Sequence, residues 1–309
     1  MTISLEHAPA NRRAFFASWV NTGAAAGITL ASLAFLLVSL MPQEDLLAWG
    51  GWRIPFLASI LVAVAGFIIR RKLPEAEVFK HEVENTKALE LPAKVVVRDH
   101  WRTVLKVMAF GVWAVVSSIF SAFSLSYAAK EQLVPSSVML AVTIVTAALS
   151  VGVQPLFGIL ADRIGRKPVF IAGNITCAAA IFAYFWAISS SNILFVFVSG
   201  IVLMSVGYAM VNPLGPAMVA EMFETRIRYS GAAISSQLGL ILTGFAPAIA
   251  AAIVRPGPPE GWLPVAVFTA ACCLVSAFVA LVFVRETYRT ATEDLARRPD
   301  STHEAPGNH

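Results

Sequence analysis

Apolar and polar residues fall in long blocks along this chain, not in the short periods of a soluble fold. Eight runs with few or no charges stand at residues 14–41, 52–70, 103–129, 136–161, 168–188, 192–220, 230–254 and 263–284. Each is near the ~20 residues a helix needs to cross a bilayer core. Backbone groups in hydrocarbon must be satisfied within their own segment, so runs of this length predict helices. The pattern predicts an all-α polytopic membrane protein with eight transmembrane helices. Two polar stretches are longer than turns. Residues 72–102 read as an amphipathic cytoplasmic linker, and residues 286–309, polar and aperiodic, as a disordered cytoplasmic tail.

Charge adds orientation. With the N-terminus inside, 20 of the 23 Lys and Arg residues fall in inside segments, and only Arg53, Lys130 and Arg255 fall outside. Positive residues are retained on the cytoplasmic side, so both termini are expected there, in a multi-pass protein of the cell (plasma) membrane. The net charge of +4 is spread over alternate loops, which is a topology signal and not a nucleic-acid surface. The start, MTISLEHAPANRR, has no apolar core and is not read as a signal peptide.

Composition excludes more than it assigns. The chain is 57% hydrophobic and 14% charged, against about a quarter charged in soluble domains. Cys177, Cys272 and Cys273 lie inside apolar runs, and all five histidines lie in expected loops or tails. No metal-ligand spacing and no cofactor motif result. An enzyme would need a catalytic cluster at a helix end. Asp162/Arg163 and Glu221/Arg226 are the candidates, and neither stands beside a nucleophile, so the chain is not read as an enzyme.

The polar residues inside the runs are the candidates for solute chemistry. Ser117, Ser121 and Ser124 share a helical face at i, i+4, i+7, with Trp113 one turn before. Such a stripe lines a cavity, or its hydroxyls bond their own helix carbonyls. Gln154 precedes Pro155 and reads either a solute or a neighbouring helix. Tyr208 and Gln237 are further candidates. Asn212-Pro213 and Gly215-Pro216 predict either a simple kink or an interruption whose carbonyls face a cavity. No Asp, Glu, Lys, Arg or His lies near the middle of any run.

Three stretches carry a resemblance. The first is Gly158-x-x-x-Asp162-Arg163-x-Gly165-Arg166-Lys167, a short charged turn between two apolar runs. The second is WGGWRIPFL at 49–57, closed by Leu73-Pro74-Glu75. The third is Ala220-Glu221-Met222-Phe223-Glu224-Thr225-Arg226-Ile227-Arg228-Tyr229-Ser230-Gly231. Together they resemble the metabolite:proton symporter branch of the major facilitator superfamily. Glu224 stands where that branch commonly has proline, and AFGVWAV (109–115) lacks the acid the branch often carries.

The resemblance runs from about residue 12 to 285 and matches helices five to twelve of a twelve-helix transporter. It implies residues 1–71 as the last two helices of an N-terminal bundle, 72–102 as the linker, and 103–285 as a complete C-terminal six-helix bundle. The implied function is secondary transport of a small organic acid or osmolyte, with protons, by alternating access. The implied chain is truncated, its proton-coupling group expected in the missing helices. The other reading is a non-transporting fragment or assembly partner. The implied cytoplasmic gate is Gly158, Asp162, Arg163, Gly165, Arg166, Lys167, Glu221, Arg226 and Arg228. Within it Asp162 is expected to meet the N-terminal end of the first run, and Arg166 to pair with Glu221. The expected partners are a small-molecule solute, protons and the lipid bilayer.

Overall fold

Helices form wherever the apolar runs predict them. The computed structural model describes residues 13–39, 53–72, 98, 100–131, 133–222, 228–255 and 261–284. The expected linker over 73–97 and the tail from 285 lie outside the described residues. Two helices, α1 (Arg13–Ser39) and α2 (Ile54–Lys72), cover the first two runs. Among the described residues, six others are the helices long and apolar enough to cross a membrane. They are α3 (Trp101–Lys130), α4 (Ser136–Ile164), α5 (Arg166–Ser189), α6 (Ile193–Val219), α7 (here Gly231–Ile253) and α8 (Leu263–Phe283). The helix of α7 itself begins at Arg228. No strand occurs among the described residues.

α5 packs between α8 and α6, α7 lies along α3, and α4 runs antiparallel along α1. One aromatic and aliphatic core includes Phe120, Phe123, Tyr184, Phe185 and Trp262. A second, at the end where α3 and α5 begin, includes Phe110, Phe170, Leu214 and Met218. The rings of Phe110 and Phe170 stack at 4.6 Å. Polar groups tie helices where a water-free interior makes each bond count. The Ser276 hydroxyl of α8 donates to the Phe110 carbonyl of α3 at 2.5 Å. The Ser205 hydroxyl of α6 donates to the Thr146 carbonyl of α4 at 3.0 Å.

The charged turn is shorter than the sequence predicts. The expected run ended at residue 161 and the next began at 168, but α4 continues through Asp162 and Arg163 to Ile164. α5 already begins at Arg166. Charge stops an apolar run, yet it does not stop a helix whose end lies at the membrane surface. Only Gly165 separates the two helices, at φ 106°, where other residues would be strained. Pro168 sits in the first turn of α5, where its missing N–H leaves no helical acceptor unserved.

Lys167 closes a different helix. Its ammonium donates to the carbonyls of Leu281 at 2.6 Å and Val284 at 3.1 Å, at the end of α8. Those carbonyls lack intrahelical donors, and a cation there also meets the negative end of the helix dipole. Lys167→Met is expected to lower stability by about 1 kcal/mol, read as a lower unfolding midpoint in detergent; an unchanged midpoint defeats the assignment.

Two helices depart from α geometry. Ile119–Phe123 in α3 and Ile201–Tyr208 in α6 are π-helical. Both lie beside the residues the sequence analysis singled out, and such widened turns often accompany functional sites.

Candidate gate and solute site

The gate candidates stand around the seam between α1 and α4. α1 covers α4 with Ser18, Thr22 and Ala25, all buried, spaced so that they share one face. On α4, Gly158 and Ala161 are buried near the matching end. Small residues on both helices allow close approach without a hydrophobic drive. Asp162, in the last turn of α4, then reaches the first turn of α1. Its Oδ2 accepts a hydrogen bond from the Phe15 backbone N–H at 3.0 Å. That N–H has no acceptor within its own helix, and a carboxylate there also meets the positive helix end.

A second bond crosses from α1 to α6 less than two turns further in. Asn21 Nδ2 donates to the Asn212 carbonyl at 3.2 Å. In an unbroken helix this carbonyl would accept from residue 216, which is proline and has no N–H. The chain turns at Asn212–Leu214 before the helix Gly215–Glu221 resumes. The interruption read from Asn212-Pro213 and Gly215-Pro216 is therefore real, and its freed carbonyl is served by a side chain of α1.

The other gate candidates are placed less completely. Arg166 is buried at the start of α5, and Arg163 is exposed. Glu221 ends the helix Gly215–Glu221, but its side chain lies outside the described residues, as do Arg226 and the side chain of Arg228. The Arg166–Glu221 pair is thus not described.

Four cavity candidates come together where α3 meets α6. The Trp113 ring lies 5.3 Å from that of Tyr208 and 6.4 Å from that of Phe170. Asn212 follows one turn on, its N–H donating to the Tyr208 carbonyl at 2.9 Å. Gly215 makes room for the indole, since a Cβ there would lie 2.8 Å from Trp113 Cζ2. Ser121 and Gln237 are exposed on the neighbouring helices α3 and α7. The Ser117 and Ser121 hydroxyls return to the carbonyls of Ala114 and Ser117, both at 2.8 Å.

Ser124 leaves the stripe. It is fully buried, donates to the Phe120 carbonyl at 2.5 Å and lies 3.3 Å from the Tyr184 hydroxyl. The i, i+4, i+7 expectation assumed 3.6 residues per turn. The intervening π-turn turns less per residue and swings Ser124 about a quarter-turn away. Gln154 is buried too, on the α4 face that carries Gly158. Its Oε1 has no hydrogen-bond partner among the described residues. Asn21 was missed: it sits in a run read only for its small residues, although an Asn inside a spanning helix was a visible signal.

Comparison with known proteins places this geometry. The family profile described as Major Facilitator Superfamily matches residues 107–306, and that described as Sugar (and other) transporter matches residues 1–95. The chain is 32% identical over 285 residues to a shikimate transporter of Escherichia coli, covering 91% of this chain and 65% of that protein. It is 30% identical over 258 residues to the inner membrane metabolite transport protein YhjE of Escherichia coli, covering 81% of this chain and 58% of that protein. It is 27% identical over 268 residues to a proline/betaine transporter of Salmonella typhimurium, covering 81% of this chain and 52% of that protein. The chain thus spans between about half and two thirds of these relatives' length. These relatives are transporters and not enzymes, and two helical profiles account for nearly the whole sequence between them. The chain belongs to the Major Facilitator Superfamily.

Proposed function

We propose that the protein carries a small organic acid or osmolyte across the plasma membrane by alternating access, in symport with protons, with both termini cytoplasmic. The observation that carries this is the α1–α4 seam. A carboxylate on a helix terminus holds it at one end, and beside it one amide of α1 serves an orphan carbonyl of α6. Bonds of this kind break together and re-form, as a gate between rocking bundles requires. Asp162, Gly158, Gly165 and Arg166 form the closing edge, with Arg163, Lys167, Glu221, Arg226 and Arg228 around it. Trp113, Ser117, Tyr208 and Asn212, with Ser121 and Gln237 beside them, face the solute. Among the described residues no Asp, Glu, Lys, Arg or His lies in the middle of a membrane helix. The group that takes up the coupling proton is therefore assigned outside these spans.

The chemistry of the relatives suggests the probes. Shikimate, proline and glycine betaine are offered to proteoliposomes with and without an imposed pH gradient, acidic outside. Gradient-driven uptake of one of them, collapsed by a protonophore, is the expected result. Uptake indifferent to the gradient overturns symport, and no uptake of any overturns the solute class. In the same assay Tyr208→Phe is expected to raise KM about tenfold, the scale of one lost hydrogen bond to a buried polar group. Ser124→Ala is expected to leave KM unchanged, because its hydroxyl is sealed between Phe120 and Tyr184.

A further inference from the structure

Two buried oxygens in the α1–α4 seam play no part in the gate bonds. Thr22 and Gln154 are 4% and 3% exposed. Thr22 Oγ1 and Gln154 Oε1 have no hydrogen-bond partner among the described residues, so they do not bond to each other either. The register of the seam sets them at one depth. The bond between Phe15 and Asp162 pins the start of α1 to the end of α4. Thr22 lies seven residues beyond Phe15, and Gln154 eight residues before Asp162. These are about 10 Å and about 12 Å along two antiparallel helices. Thr22 shares its buried face with Ser18 and Ala25, and Gln154 shares its own with Ser150 and Gly158. A third oxygen stands less than one turn from Gln154. In an unbroken helix the Val151 carbonyl would accept from residue 155, but Pro155 has no N–H. The break in α6 lies at this level too, because Asn21, next to Thr22, donates to the Asn212 carbonyl.

Each of these oxygens offers a lone pair in a place where leaving it unserved is costly. A hydroxyl, an amide and a peptide carbonyl do not titrate near neutral pH, so a proton is not the ligand they hold. Divalent and transition ions take carboxylates, imidazoles and thiolates. Among the described residues no group of three such side chains could hold a metal ion. Neutral oxygens suit a singly charged ion, and carbonyls freed by helix breaks coordinate sodium inside membranes. The carbonyl end of the broken α6 also presents the negative pole of a helix dipole to this level. We propose that the α1–α4 seam binds a sodium ion through Thr22 Oγ1, Gln154 Oε1 and the Val151 carbonyl. The ion joins a ligand on α1 to two on α4, so binding it draws these helices together. The inference does not rest on the transport reading, and its test is read on the protein without solute.

The full chain in neutral detergent and choline chloride is titrated with radioactive sodium, and bound ion is counted after rapid gel filtration. Saturable binding is expected, displaced by unlabelled sodium and not by equal potassium. The unfolding midpoint is expected to stand about 5 °C higher in sodium chloride, at a hundredfold excess over Kd, than in potassium or choline chloride of the same strength. Gln154→Leu is expected to abolish both responses. In choline chloride it should unfold no lower than wild type, because an apolar side chain of similar volume removes an unserved oxygen. Thr22→Val is expected to weaken sodium binding at least tenfold, and it carries the same test if Gln154→Leu does not fold. Ser124→Ala, whose hydroxyl is buried between Phe120 and Tyr184, is expected to respond as wild type does. No bound sodium and equal midpoints in the three salts overturn the proposal, and mean that water serves these oxygens. Equal displacement by potassium overturns it in favour of an unselective cation seat. A full sodium response in Gln154→Leu or Thr22→Val overturns it too, because the ion then binds elsewhere.

Discussion

Gly173→Ala is expected to cost about 3 kcal/mol, the upper range for forcing added atoms into a packed interior. A Cβ at this position would stand 2.7 Å from Met210 Cβ, 2.7 Å from Val211 Cγ2 and 2.8 Å from the Gly207 carbonyl oxygen. Two of these three neighbours are backbone or attached directly to it, so no rotamer change relieves the clash. α5 and α6 would have to separate, and the separation reaches the other side of the seam. There Gly207 already lies so close to α5 that its own Cβ would meet Cys177 Sγ at 2.8 Å. The unfolding midpoint in detergent should fall by about 10 °C. Gly152→Ala is the matched control. It is exposed in α4 with nothing within 4 Å of an added Cβ. It should leave stability unchanged or raise it by up to ~1 kcal/mol, the helix propensity difference. Equal losses at the two glycines would show that close approach is not what Gly173 provides.

Asp162→Asn is expected to open the α1–α4 seam. The carboxylate is both hydrogen-bond acceptor and counter-charge at the α1 N-terminus, and the amide keeps only a weaker version of the first role. The loss is about 1–2 kcal/mol, near a tenfold change in the balance between closed and open arrangements. A cysteine placed at buried Thr22 reports this directly. Thr22 is 4% exposed and faces α4, so Thr22→Cys should react slowly with a membrane-impermeant maleimide. Adding Asp162→Asn should speed labelling about tenfold, and Asp162→Leu at least as much. Unchanged labelling would mean that the carboxylate caps α1 without holding the seam. Gradient-driven uptake is expected to fall in both Asp162 variants, because a gate that does not close leaks its bound solute.

What the sequence made legible follows from the solvent. Hydrocarbon forces every long apolar run to be helical, so the existence of each helix could be read at once. Helix ends could not. Asp162 and Arg163 stopped the apolar run near residue 161, but at a membrane surface charges continue a helix as readily as they end it, and α4 reaches Ile164. The proline-rich break near Asn212 was readable because a missing N–H is a covalent fact. The partner of the freed carbonyl, Asn21, was not, since it lies 191 residues away. The contact between Asp162 and α1 came from a family resemblance and not from periodicity. Ser124 shows the opposite failure. Its face was computed from an α period that Ile119–Phe123 does not keep, and nothing in SSIFSAF marks a π-turn.

Those π-turns also bear on how this chain can be compared with its relatives. A widened turn accommodates a residue that an α-helix of the same rise has no place for. A homologue with a regular helix at either position would match this chain only across a one-residue gap inside a membrane span. An ungapped alignment there would shift every residue beyond it by about a third of a turn, pairing Tyr208 or the buried Ser124 with a residue of another face. Solute specificity transferred by position along α3 and α6 is therefore sound only up to residue 118 and residue 200, unless the register is first reset on structure.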